Sequence, residues 1–289
     1  MRLPFPLALF ALASLPALTA AAQTPAAPAA EPAQLVGTYR LTFQPDSTDP
    51  AKRTETMVLT LGKSLSKFGS RGAQLADSMA ASSADARLTP ENVQAFTSKM
   101  MALPRSRFRY AIYKTAAGRQ ITHYEPLGVS TFRYEEPAGG LSWTIAPATA
   151  TIAGYACQQA TATFAGRRWE AWFAREVSVP DGPYKFGGLP GLIVKVADTR
   201  GHYTFELLKL SKPATAQLVA LPTKAATAAT RVEFRQAAAN YNLNPLASIQ
   251  AASGGARIIM QGADGQSPEQ LQQLMRERAR KNNNPLELK

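Results

Sequence analysis

The chain has 289 residues and carries 32 Lys and Arg against 20 Asp and Glu, a formal charge of +12. A single cysteine excludes an internal disulfide. No stretch reaches the roughly 18 continuous apolar residues that a membrane-spanning helix needs. The basic excess favours anionic partners at long range. It is spread out, clustering only at Arg105, Arg107 and Arg109 and again at Arg276, Arg278, Arg280 and Lys281, with no block of five like charges. That pattern reads as a solvated surface, and without a basic–aromatic motif it does not point to nucleic acid.

Residues 1–22 have the order of a secretory signal peptide: Met1-Arg2, an apolar stretch from Leu3 to Leu18, and small residues at Ala20, Ala21 and Ala22. Pro4, Pro6 and Pro16 argue against a core helix or strand there. With no cysteine at the cleavage site, the expectation is an exported protein without a bacterial lipid anchor. Residues 23–34 are rich in Ala and Pro and read as a mobile linker. Residues 35–289 are expected to form one β-rich domain, with a helical extension from about residue 230.

Leu35–Phe43 alternates apolar residues on one parity, as a half-buried strand does. Thr56–Leu61 is a second short strand, and Ala73–Ala81 a weaker helix. Thr89, Pro90 and Glu91 supply an N-cap, a first-turn proline and a first-turn acid. Val93, Phe96 and Met100 follow at helical spacing, which predicts an amphipathic helix against a sheet. Strands are then expected at 108–112, 120–124, 130–134 and 141–145, punctuated by Gly118, Gly128 and Gly139-Gly140. Residues 156–164 and 167–175 read as a hairpin turning at Ala165-Gly166. Trp169, Ala171 and Phe173 on one parity and Trp172 on the other suggest a strand covered on both sides.

The densest segment runs from Gly182 to Val196. Pro183, Gly187 and Gly188 mark close backbone approach, and Leu189-Pro190-Gly191-Leu192 has the residues of a type II turn. Leu192–Val196, including Ile193, is a near-continuous apolar strand. Asp198–Gly201 turns the chain, and Tyr203–Leu208 returns as an amphipathic strand. No Gly-Lys-Ser/Thr follows the glycines and no helix starts there, so a phosphate-binding loop is disfavoured. Beyond Pro213, Arg231–Ala239 is a candidate helix. Ser267-Pro268-Glu269-Gln270 has capping-box spacing before Leu271, Leu274 and Met275, which predicts a helix to about Lys281, packed on the sheet or docked on a partner.

Gly188-Leu189-Pro190-Gly191-Leu192-Ile193 resembles the signature of the GLPGLI family, exported proteins common in Bacteroidota. Gly154–Ala160, Gly166–Phe173 and Gly182–Phe186 look like the family's neighbouring blocks. Lys63–Phe68 and Asn283–Leu288 look like its ends. The resemblance implies location and architecture but brings no catalytic residue. The resemblance further implies an association with TonB-dependent outer-membrane transport systems.

Chemistry-bearing residues are sparse. Cys157 in a predicted strand reads as a small buried hydrophobe. His123 with Glu125, and Asp198 with His202, are candidate metal ligands without a recognised spacing, more simply exposed polar residues. Glu135-Glu136 reads as a loop charge pair, and no Gly-x-Ser-x-Gly elbow is present. The expected fold is a β-rich α+β one, a curved antiparallel sheet of half-barrel or sandwich-like form with a few covering helices. The expected function is a non-catalytic binding or accessory protein of the cell envelope, with no cofactor and no metal. Its partner would be an apolar or amphipathic ligand or an outer-membrane transporter. That reading requires an apolar concavity or exposed apolar patch. The rivals are a periplasmic hydrolase or metal-handling protein, which requires His123 and His202 to converge on carboxylates, and a structural assembly protein.

Overall fold

A computed structural model describes residues 29–83, 89–115, 120–138, 141–252 and 267–289. The expected signal peptide, residues 23–28 of the expected linker, and the glycines 118, 139 and 140 lie outside the described residues.

Alternating apolar residues build twelve strands into one sheet. In chain order they begin with β2 (Leu35–Phe43), β3 (Arg53–Leu61), β4 (Leu65–Ser70) and β5 (Ala111–Thr115). β6 (Gln120–Leu127), β7 (Ser130–Pro137), β8 (Thr144–Ile152) and β9 (Tyr155–Phe164) follow. β10 (Arg167–Ala174), β11 (Leu192–Asp198), β12 (Tyr203–Ser211) and the short β14 (Thr227–Ala228) complete it. Their order across the sheet is β14-β7-β6-β5-β4-β3-β2-β12-β11-β10-β9-β8. All neighbours are antiparallel except β14, which runs parallel to β7. A separate ribbon pairs β1 (Glu31–Pro32) with β13 (Leu218–Val219). The last part of the expected linker is therefore pinned: the Glu31 carboxylate accepts hydrogen bonds from the backbone N–H groups of Ser64 and Leu65 at 2.8 and 2.7 Å.

The sheet curls without closing. β7 and β10 are eight strand steps apart, about 38 Å on a flat sheet at the usual spacing. Yet two consecutive residues of one loop touch both. Lys185 donates to the Tyr134 hydroxyl of β7 at 3.2 Å, and the Phe186 ring lies 4.7 Å from the Trp169 ring of β10. Only a strongly curved sheet brings those walls together. The concave side holds the main core, with Tyr39, Leu41, Phe68, Ile112, Trp169, Phe173, Val194 and Phe205 buried. On the outer side of β4 to β6, Leu65, Tyr113 and Tyr124 pack with Val219 of the ribbon. β10 has one fully buried face, whereas Trp172 on its other face is half-buried and donates to Glu170, so the strand is not covered equally on both sides.

Helices α1 (Arg71–Ser82) and α2 (Pro90–Ala102) form between β4 and β5. Ser70 and Thr89 cap them as acceptors from Ala73 and Asn92. The hairpin leaves and rejoins the sheet at one point, where a Cβ at Gly72 would strike the Pro104 carbonyl. The expectation that α2 packs on the sheet is not met. None of its described side chains is buried, and Val93 is 47% exposed. The segment carrying Arg105, Arg107 and Arg109 leads into β5 rather than forming a strand, with all three arginines exposed.

Helix α3 (Arg231–Leu243) starts at a Thr230–Glu233 capping box and rests on β7. α4 (Pro245–Ala252) and α5 (Pro268–Arg280) follow. The Ser267–Gln270 capping box forms as expected, but α5 packs on α3 and α4 instead of the sheet.

Candidate functional site

The cup formed by the curved sheet is where a binding or reactive site is sought, and the chain fills it with its own residues. Residues 176–191, between β10 and β11, fold across the cup. Phe186 meets the rings of Trp143, Phe164, Trp169 and Phe205. The Tyr184 ring stacks on Phe205 at 6.4 Å, and Tyr184 sits in the left-handed region with φ 53°. A bulky residue rarely adopts that backbone conformation. Here ring stacking and a hydrogen bond from the hydroxyl to Glu287 at 2.7 Å hold it.

Backbone bonds fix the loop. Asp181 pairs with Gly187, Gly188 N–H donates to Pro180 at 3.0 Å, and Ile193 N–H to Asp181 at 2.9 Å. Pro183 precedes Tyr184 in a turn closed by Phe186 N–H to the Pro183 carbonyl at 3.1 Å. The expected type II turn at Leu189–Leu192 does not form. Gly191 N–H closes a tighter three-residue turn on the Leu189 carbonyl at 2.8 Å around Pro190, and Leu192 N–H goes to Val177 at 3.1 Å. At Gly191 φ is 148°, and a Cβ there would collide with the Ala174 carbonyl, 2.7 Å from its carbon. The glycine lets the loop's exit pass directly over the end of β10.

Charged groups bolt the loop to the far wall. Lys114 of β5 forms an ion pair with Asp181 and donates to the Gly182 carbonyl at 2.6 Å and to Phe186 at 3.1 Å. Burial pushes the Lys114 ammonium down, and the Asp181 carboxylate partly restores it. Asp181 also accepts from Ser66 at 2.6 Å. Lys185, 2% exposed, pairs with Glu136 of β7 and with Glu287 at 2.8 Å. Arg231 of α3 reaches Glu287 at 2.7 Å and Glu136 at 3.4 Å. Burial raises the Glu287 carboxyl, but Lys185, Tyr184 and Arg231 together outweigh this and hold it below the ordinary range. Glu136 is thus a partner inside this network rather than half of a loop charge pair.

The C-terminal segment closes the other end. Arg167 of β10, with 2% of its side chain exposed, pairs with Asp198 at 2.9 Å. It donates to the Asn284 side chain and the Pro285 carbonyl, both at 2.6 Å, and to the Leu286 carbonyl at 3.0 Å. Tyr203 donates to the Asn284 carbonyl at 2.6 Å, and Leu288 N–H to Ala165 at 2.8 Å.

The two histidines are not brought together. His123 is not an exposed strand-end residue. It is 3% exposed on the concave face of β6, stacked on Tyr134 at 4.5 Å, with Nε2 2.8 Å from Glu125. Its Nδ1 and the neighbouring Tyr110 hydroxyl are buried without a partner. His202 sits in the β11–β12 turn with Nδ1 3.2 Å from Arg167, while Asp198 accepts from Arg167 and from Tyr203 N–H. No cluster of three or more metal-ligating residues occurs among the described residues. Cys157 is buried, its Sγ 3.3 Å from the Tyr155 carbonyl, and burial pushes its thiol up, away from the reactive thiolate.

An apolar opening lies away from the cup, between α1 and α2. This groove of about 800 Å³ is lined by Leu75, Met79, Val93 and Phe96, with Asn92 and Lys99 at its border.

Three substitutions test the loop and its bolts. Gly191→Ala should cost about 3 kcal/mol through the Ala174 collision, whereas Gly188→Ala, at φ 84° but in open space, should cost about 1 kcal/mol. Urea midpoints compare them. Glu287→Gln should cost about 3 kcal/mol near neutral pH by leaving Lys185 and Arg231 short of a carboxylate. Because the folded carboxyl titrates below the ordinary carboxylate range, its contribution is complete above the unfolded value and is lost as the pH falls through the lower folded one. The stability gap between wild type and variant should therefore close in acid, read by urea unfolding across a pH series.

No protein-family model matches the chain, and no curated protein matches it. Among solved structures it is similar to PNGF-II in a C2 crystal form, at 13% identity and a TM-score of 0.48, and in a P21 form, at 12% and 0.46. Each similarity covers 71% of this chain and 32% of PNGF-II, so the chain spans about a third of the length of those structures.

Proposed function

We propose that the chain is an exported, non-catalytic binding or accessory protein of the cell envelope, a member of the GLPGLI family, and that it binds through the α1–α2 hairpin rather than in its cup. The observation that carries this reading is the apolar groove between the two helices, with Leu75 40% exposed and Val93 47% exposed. A helix that buries none of its described side chains in its own fold gains little from tertiary packing. Its apolar stripe is accounted for by a surface that covers it. The cup offers no comparable space, because Tyr184, Phe186 and Leu189 occupy it and its ionic groups are paired within the protein. Periplasmic location rests on the reading of residues 1–22, and the charge of +12 suits an envelope rich in anionic groups.

An apolar or amphipathic ligand and the periplasmic part of an outer-membrane transporter both fit such a groove. Native mass spectrometry of the protein purified from its own periplasm separates them. A lipid-sized adduct supports the first, and a stoichiometric protein the second. Val93→Asp with Phe96→Asp should abolish whichever is seen while leaving the unfolding temperature within a few degrees of wild type. A bare protein, or an adduct that survives the substitutions, would overturn the reading.

A further inference from the structure

The two ends of the twelve-stranded sheet are finished differently. At one end β14 has two residues, runs parallel to β7, and leads directly into α3, which packs on β7. That edge is blunted. At the other end β8 runs for nine residues, most of them exposed, and among the described residues no strand pairs with its outer side. Two-residue turns with Ala153-Gly154 and Ala165-Gly166 at positive φ hold β8, β9 and β10 in regular antiparallel register. Pro147 lies at the irregularity between Ile145 and Thr149, and beyond it Thr149–Ile152 pairs residue for residue with Gln158–Tyr155. The last four residues of β8 thus present free backbone donors and acceptors.

Monomeric sheet proteins protect such edges with charge, above all lysine. This chain has 32 basic residues and places none on β8, whose sequence Thr-Ile-Ala-Pro-Ala-Thr-Ala-Thr-Ile has no charged residue at all. β2, β3, β4, β5, β7, β10, β11 and β12 each carry Lys or Arg. Two copies of a +12 molecule repel one another over most of their surfaces. Along β8 they meet without a like-charge pair. An acidic partner strand, by contrast, finds no basic residue on β8 to complement it.

We infer that β8 is a self-association edge: Thr149–Ile152 pairs antiparallel with the same segment of a second copy across a two-fold axis, joining two twelve-stranded sheets into one. A two-fold contact between identical strands is necessarily antiparallel and closed, so it ends at a dimer rather than a fibre. The short paired segment makes this a reversible dimer rather than an obligate one. The inference does not depend on the α1–α2 groove.

Sedimentation of the purified protein over a concentration series tests it. The expected result is a reversible shift from monomer to dimer mass that strengthens with added salt, because screening removes the repulsion between two basic bodies. Thr149→Lys with Thr151→Lys places four like charges across the two-fold contact and should leave a monomer at every concentration. Both threonines are exposed, so the unfolding temperature should stay unchanged. In the wild-type protein, hydrogen exchange should show concentration-dependent protection confined to the amides of β8, a readout that needs no variant. A wild-type monomer throughout, a dimer that survives the lysines, or protection mapping to another element would each overturn the proposal.

Discussion

Lys185 holds the fold in its curved form. It stands between Tyr184 and Phe186 in the loop that crosses the cup, is almost wholly buried, and reaches to Glu136 on one wall and Glu287 of the C-terminal segment. A buried ammonium without partners costs several kcal/mol, and with two carboxylates and the Tyr134 hydroxyl around it that penalty is offset. The pairing is thus less a source of net stability than a condition on geometry. The lysine is tolerable only when the sheet is curled enough for β7 to meet a loop that also packs on β10. Lys114 and Asp181 impose the same condition two strands nearer, on β5. An all-apolar loop would fill the cup without dictating where its far wall stands.

The same arrangement explains why the signature residues carry backbone roles rather than chemistry. Gly182 lets the loop lie against Ile193, and Gly191 lets its exit pass the end of β10. Leu189, Leu192 and Ile193 then complete the core. The outside carries a helical hairpin with an apolar groove and, at β8, a sheet edge without a charged residue.

Much of the fold was legible because strands with one buried face write a period of two into the sequence. β2, β10 and β12 announce themselves this way, β11 by its near-continuous apolar run and β9 by the turn at Ala165-Gly166, and the caps at Thr89 and Ser267 mark helix starts through local hydrogen bonding. β4 was not legible, since Leu-Ser-Lys-Phe-Gly-Ser buries its polar residues almost as deeply as its apolar ones. The polar interior was hidden for a related reason. Glu136, Lys185, Arg167 and Glu287 look like surface charges until their partners, up to 119 residues away for Arg167 and Leu286, are known. His123 was misjudged because nothing local shows that the concave face of β6 is roofed by Phe234 of α3. The unpartnered state of α2 was equally invisible, since an amphipathic stripe specifies that a helix has an apolar side and not what that side meets.

The contacts of residues 284–288 have a temporal consequence. Asn284 donates to the Gln44 carbonyl across 240 residues of sequence, and Leu286 and Glu287 complete the lodgings of Arg167 and Lys185. A chain synthesised from its N-terminus can pair its early strands long before those residues emerge. Until then Arg167 and Lys185 have nowhere to be buried in full. Contacts of such sequence separation also make folding slow. The native cup is therefore completed late, only once residues 284–288 have emerged to receive Arg167 and Lys185.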